Sequence, residues 1–285
     1  MQKIIIASDS TCDLSLKQLK ENNIFTIPLY VNLGESSFKD GIEIKSDDIF
    51  RYYDKTSKIP KTSAPSEGDF IDFFNKIKNL YKDCKIIYIS ISSHFSVSGQ
   101  TALTVASRFK DIEVIDGKSL STGTGILVMY AADLVKKGLD FEDIVKKVKH
   151  QAEHNQCSFV INTLEYLHKG GRCSSVAVLG ANLLKLKPCI EVKEGKMNVG
   201  KKYRGKLEKV LEEFCLDKFN EYKGKIKPDR IFITHTGVSN EIINYLRKII
   251  KKYFNFKEII ETRAGCVITS HCGQETLGFI YMLDE

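Results

Sequence analysis

The residues of this chain best equipped for chemistry are hydroxyls. Four segments carry them: residues 62–66 (Thr-Ser-Ala-Pro-Ser), 90–99, 119–125 and 269–273. The second holds Ser92, Ser93, Ser96 and Ser98, directly after the apolar run 85–91 and before a helix expected from about Ser98. Open α/β sheets hold ligands at the carboxyl ends of their strands. A cluster of alcohols there offers donors without fixed charge, which suits a small anionic or polar head group better than chemistry needing a strong base. The competing reading is a nucleophile and base, because Ser96 and His271 both lie in loop segments after apolar stretches. Ser96 is flanked as Phe95-Ser96-Val97-Ser98 rather than G-x-S-x-G, and no acid partner is evident. A serine-dependent acyl hydrolase or transferase is therefore the alternative to a binding site.

Other motifs fail on context. His150-Gln-Ala-Glu-His154 matches a zinc-protease pattern, but Phe141, Ile144, Val145, Val148 and Ala152 form the apolar stripe of that helix. Both histidines then face solvent, without a cavity or third ligand, so no metal is expected. Gly117-Lys118-Ser119 resembles the end of a phosphate loop, yet the position of its first glycine is Ile112, inside a strand. Gly123-Thr124-Gly125 lacks a third glycine and does not directly follow a strand.

The elements that must position these residues come from a chain of 285 residues, comfortable for two cores. Strand and helix alternate through the first half. Strands are expected at 4–7, 85–91 and 112–116, with an extended stretch at 25–33 in which Pro28 disfavours a central strand. Helices are expected at 14–22, near 48–54 after a Ser46 cap, from Pro65 to Leu80, at 98–108, and in a long segment ending before Gly138. Beyond residue 157 come strands at 157–161 and 189–192, the latter turning through Glu194-Gly195 into 196–201. A helix at 206–222, a strand at 231–234, a helix at 241–253 and strands near 257–262 and 277–283 complete the chain. The fold class is α/β: subdomain 1–156 with a mostly parallel sheet flanked by helices, and subdomain 157–285, α+β with a mixed or antiparallel sheet.

Net charge is +7, from 43 Lys+Arg against 36 Asp+Glu, scattered over helix faces. No interleaving of aromatic and basic residues points to nucleic acid. The start of the chain, interrupted by Asp9, lacks a secretory pattern, and nowhere do eighteen apolar residues run together. The eight cysteines include no C-x-x-C pair and are expected as reduced, mostly buried thiols in the cytoplasm.

Several motifs, in order, resemble those of the DegV family of bacterial fatty-acid-binding proteins. They are residues 8–13 (Ser-Asp-Ser-Thr-Cys-Asp), 38–41 (Phe-Lys-Asp-Gly), 62–66, 92–96, 116–119 (Asp-Gly-Lys-Ser), 167–172 (Leu-His-Lys-Gly-Gly-Arg), Arg204 and 271–273 (His-Cys-Gly). The resemblance implies a long-chain fatty acid held between two subdomains, its carboxylate bonded by Thr62, Ser96 and the Val97 N–H, with His271 close by. Ser63, Ser93, Cys272 and Gly273 complete the implied ligand-binding set. It further implies a carrier rather than an enzyme, with no cofactor. A separate ATP-dependent fatty acid kinase would dock near Lys169, Arg172, Lys202 and Arg204, and membrane contact would be at most transient. The chain departs from the family pattern at Val97, where glycine is usual, at Ser98-Gly99, and at Gln274-Glu275, where Pro-Gly is usual. Val97 is expected to bear on backbone angles beside the head group, and Glu275 to repel a carboxylate if it points inward.

Overall fold

The apolar runs at 4–7 and 85–91 form the buried central strands of a parallel sheet. In the computed structural model, which describes residues 2–173 and 186–284, β1 (Ile4–Asp9), β2 (Ile24–Ile27), β6 (Lys85–Ser90) and β7 (Ile112–Asp116) make a wholly parallel sheet, ordered β2-β1-β6-β7. Labels follow chain order. Alternate residues serve opposite faces. Ile5, Ala7, Ile86 and Tyr88 meet Phe70 and Phe74 of α3 (Glu67–Leu80) and Ala102 and Val105 of α4 (Ser98–Ala106). Ile6, Ile87 and Ile89 face α5 (Thr122–Lys136), which α6 (Phe141–Glu153) flanks.

The second sheet is mixed. It comprises β8 (Asn155–Val160), β9 (Leu186–Lys193), β10 (Lys196–Arg204), β11 (Ile226–His235), β12 (Glu258–Arg263) and β13 (Leu277–Leu283), ordered β10-β9-β8-β13-β11-β12. Only β11 and β12 run parallel. Its outer face (Val160, Cys189, Ile231, Ile233, Phe279) packs on α8 (Leu207–Glu221) and α9 (Asn240–Tyr253). Its inner face (Cys157, Phe159, Ile190, Phe232, Ile280) packs on α5. Eleven of the fifteen α5 residues are buried, as expected of a helix with a sheet on either side.

Some expectations change. The stretch 25–33 is two strands in two sheets: after Pro28 the chain enters β3 (Tyr30–Leu33), which pairs with β4 (Ser36–Lys39) and β5 (Lys61–Ser63) in a small antiparallel sheet. Ser46 does not cap its helix. It is the first residue of α2 (Ser46–Thr56), and its hydroxyl donates instead to Ala264 O at 2.6 Å. The segment holding His271 is not a loop but α10 (Cys266–Cys272). α1 (Leu16–Glu21) and α7 (Glu165–Gly170) complete the helices named here. All eight cysteines are buried thiols. Among the described residues no helix is long and apolar enough to cross a membrane.

Candidate functional site

Thr62 on β5 and His271 near the end of α10 are 209 residues apart in the chain, yet Thr62 Oγ1 lies 2.9 Å from His271 Nε2. The pair borders a cavity of about 490 Å³, within the range of small-molecule sites. Leu29, Ile91, Leu120, Met197, Val267 and Ile268 supply apolar wall. Thr62, Ser63, Ser93, Ser96, Val97, His271 and Cys272 all line it. Both halves of the sequence therefore contribute. A smaller crevice beyond Leu120, Ile268 and Cys272 is lined further by Phe159 and Ile280.

The serine loop after β6 is braced from three sides. Asp9 Oδ2 accepts the Ile91 N–H at 3.0 Å, and Asp116 Oδ2 accepts the Ser93 N–H at 3.3 Å. Ser92 donates to Gly195 O at 2.7 Å, in the turn between β9 and β10. Residues 116–119 thus support the loop: Asp116 Oδ1 takes the Lys118 N–H, and a side chain at Gly117 would strike Ser90 O. Ser96 Oγ accepts the Ser98 N–H at 3.1 Å, which opens α4 and leaves the Ser96 proton available. The Val97 N–H has no acceptor among the described residues. Of the four loop serines, Ser93 and Ser96 reach the cavity, whereas Ser92 and Ser98 are buried behind it.

α10 is fastened at its start by buried carboxylates. Asp13 Oδ1 accepts the Gly265 N–H and Asp40 Oδ1 the Cys266 N–H, each at 2.8 Å. These aspartates belong to motifs 8–13 and 38–41, which therefore contact α10 rather than the cavity. The other end of α10 stops at Gly273, with φ +73, where any side chain would press on Tyr166. Gly273 accordingly ends the helix and does not line the cavity. Gly170, at the end of α7, lies against the imidazole so closely that a Cβ would run into His271 Nδ1.

His271 is electrically neutral at ordinary pH. Burial, reinforced by the nearby positive charge of Arg172, pulls its pKa down to about 4. Nδ1 is sealed from solvent without a partner among the described residues, and no carboxylate meets either ring nitrogen. A Ser-His-acid relay is thus not assembled: Nε2 meets Thr62, and Ser96 serves a backbone N–H.

The wall is not free of charge, as the hydroxyl pattern suggested. Arg172 lines it, donating to Gly170 O at 2.7 Å and to Phe95 O at 3.5 Å. The three other basic positions lie outside the lining. Lys169 pairs with Glu165 at 2.6 Å, while Lys202 and Arg204 are exposed on β10. The family departures differ in backbone cost: Glu275, where glycine is usual, keeps a left-handed φ of +55, whereas position 97 does not. Val97 has φ −78 and is 66% exposed, so no left-handed backbone is demanded there. Glu275 faces outward and accepts from Asn162 Nδ2 at 2.7 Å. His150 is exposed, its ring 4.5 Å from that of half-buried His154, and no group of three metal-ligating side chains occurs among the described residues.

Sequence reasoning missed Asp9, Asp13 and Asp40 as supports of the site. A signal was available for Asp9, an acidic residue closing an apolar strand, but not for Asp13 in a turn or Asp40 after a polar strand.

A family model, described as an uncharacterised protein of the DegV family, matches residues 3–284. A DegV domain-containing protein of Staphylococcus aureus strain COL is 32% identical over 285 residues, covering 99% of each chain. One from Clostridium perfringens strain 13 is 31% identical over 286 residues, again covering 99% of each. Among solved structures, a fatty-acid-binding DegV family protein from Thermus thermophilus matches with a TM-score of 0.90 at 28% identity, over 99% of this chain and 100% of that one. A DegV lipid-binding protein from Thermotoga maritima matches at 0.85 and 26% identity, over 99% of both. A stearic-acid-binding protein from Eubacterium ventriosum matches at 0.84 and 25%, over 99% of this chain and 98% of that one. On this fold, these motifs and these relatives, the chain belongs to the DegV family.

Proposed function

We propose that this protein binds a long-chain fatty acid and presents its carboxylate to a separate ATP-dependent fatty acid kinase, without catalysing the transfer itself. The observation that carries the reading is the Thr62–His271 pair beside Ser96 on the wall of a largely apolar cavity. Relatives of this fold described as binding fatty acid, lipid or stearic acid support the ligand class. The acyl chain runs along Leu29, Ile91, Leu120, Met197 and Ile268, between subdomains 1–156 and 157–285. Each buried methylene contributes roughly 0.8 kcal/mol before ordering costs.

Three donors serve the carboxylate. With His271 in its Nε2–H form, the ring donates to Thr62 Oγ1 and frees the Thr62 proton for the ligand. The Ser98 N–H occupies a lone pair of Ser96 Oγ in the same way, so Ser96 donates outward. The Val97 N–H is the third donor. Charge-assisted bonds from neutral groups hold an anion while leaving an oxygen lone pair free for a phosphoryl donor, whereas a bidentate arginine would occupy both oxygens. Lys169, Arg172, Lys202 and Arg204 form the kinase-docking surface in this scheme, and the site of action is the cytoplasm.

Native mass spectrometry of the protein purified from bacterial cells tests the reading. The expected spectrum carries a mass increment of one fatty acid, identified after extraction. A consistently ligand-free protein that also fails to take up added palmitate refutes it. An acyl hydrolase would instead turn over acyl esters and lose that turnover in Ser96→Ala.

A further inference from the structure

The start of α10 is bonded to the amino-terminal half of the chain at every successive residue. Ser46 Oγ donates to Ala264 O, Asp13 Oδ1 accepts the Gly265 N–H, and Asp40 Oδ1 accepts the Cys266 N–H. Cys266 Sγ reaches Ile44 O at 3.2 Å. There is no slack: a Cβ at Gly265 would come 2.9 Å from Asp13 Oδ1 and 3.3 Å from Asp40 Oδ1. The remaining carboxylate oxygens are held by Ser121 and Ser10, Ser10 Oγ lying 2.7 Å from Asp40 Oδ2. Asp13 itself sits at φ +51, a left-handed conformation kept where surroundings over-determine it. Neither aspartate has a basic partner among the described residues, and burial pushes the Asp13 carboxyl well above its usual range. Buried carboxylates without a cation are costly, and a helix of seven residues could be held by packing alone.

We infer that Asp13 and Asp40 are positioning residues for the head-group site: they fix where α10 begins, and so where His271 meets Thr62. This rests on the fatty-acid reading for its ligand but not for its geometry. His271 lies five positions beyond Cys266, about 7.5 Å along the helix. A tilt or slide at the clamp is therefore carried directly to the imidazole. Val267, Ile268 and Cys272 on the same helix would move with it and reshape the apolar wall.

The test compares Asp13→Ala, Asp40→Ala and Gly265→Ala with the native protein, by NMR of the His271 ring and of 13C-carboxyl-labelled palmitate. Gly265 has an ordinary φ of −67, so its alanine variant disturbs the clamp by bulk alone and keeps both carboxylates. The expected result is a shifted His271 ring signal in ligand-free protein, a shifted carboxyl signal in the complex, and an apparent Kd raised about three- to tenfold. Asp40→Asn retains an acceptor oxygen and should recover much of the loss. If the alanine variants of the aspartates do not fold, Gly265→Ala decides. A folded variant with lower thermal stability but native His271 and carboxyl signals overturns the inference, because the clamp would then support only the fold. Should native protein bind no palmitate, the fatty-acid reading fails, while the ligand-free His271 signal still judges the clamp.

Discussion

Replacing Thr62 with valine exchanges one hydroxyl for a methyl at the centre of the proposed head-group site. Two losses follow. A charge-assisted hydrogen bond to the ligand carboxylate disappears, which costs about 1.5–3 kcal/mol. His271 Nε2 also loses its 2.9 Å partner in a buried setting, but that penalty falls on free and bound protein alike. The ligand-specific part corresponds to roughly 10- to 150-fold weaker binding. Isothermal titration with palmitate measures it, and hexadecanol supplies the control, since an alcohol head group forgoes the ionic component. Thr62→Val should therefore weaken palmitate far more than hexadecanol. Less than about threefold weakening for palmitate, or equal weakening of both ligands, would refute the assignment of Thr62 as a carboxylate donor.

Other expectations are narrower. Because the folded pKa of His271 is about 4 and the unfolded ring titrates near 6.5, its neutral burial stabilises the protein fully above about pH 6.5. That contribution fades as pH falls toward 4, which NMR titration combined with thermal melts would reveal. Arg172→Gln removes the secondary cause, so the His271 pKa should rise while staying below 6.5; an unmoved value contradicts the electrostatic account. Gly170→Ala should displace the imidazole and weaken palmitate binding by about 1–3 kcal/mol, with Leu164→Ala as a nearby control for α7 stability. Glu275→Gln, which alters a side chain turned toward Asn162, should leave the palmitate Kd within a factor of about two.

The parallel sheet was legible because β1 and β6 are apolar runs alternating with helix signals, such as Pro65 and Glu67 for α3, although β7 carries Glu113 and is mostly half-buried. Pro28 was read correctly as hostile to a central strand, but its consequence, a change of sheet between Ile27 and Tyr30, depends on pairings the sequence does not display. β4 and β5 are short and polar, and their edge positions need no apolar alternation. Ser96 was legible as a hydroxyl after a strand and His271 as the base of the competing reading, while the motif resemblance supplied Thr62 and the head-group roles. α10 was not legible. Its Thr269 and Ser270 are poor helix formers, and the carboxylates bonded to its start, Asp13 and Asp40, lie more than two hundred residues away in the chain. Arg172, expected on a docking surface, is exposed and also lines the cavity mouth, which nothing local to residues 167–172 announces.

Because α5 is common lining to both sheets, the described residues offer no seam along which those sheets could part. A clamshell motion would strip water-free surface from Ile126, Leu127 and Val128 at once, at about 25 cal/mol for every Å² bared. If the fatty-acid reading holds, exchange of the ligand is expected at the rim, where the serine loop, the β9–β10 turn and Arg172 meet. Hydrogen exchange should find α5 amides among the slowest in the protein, while those rim segments exchange quickly and set the pace of loading.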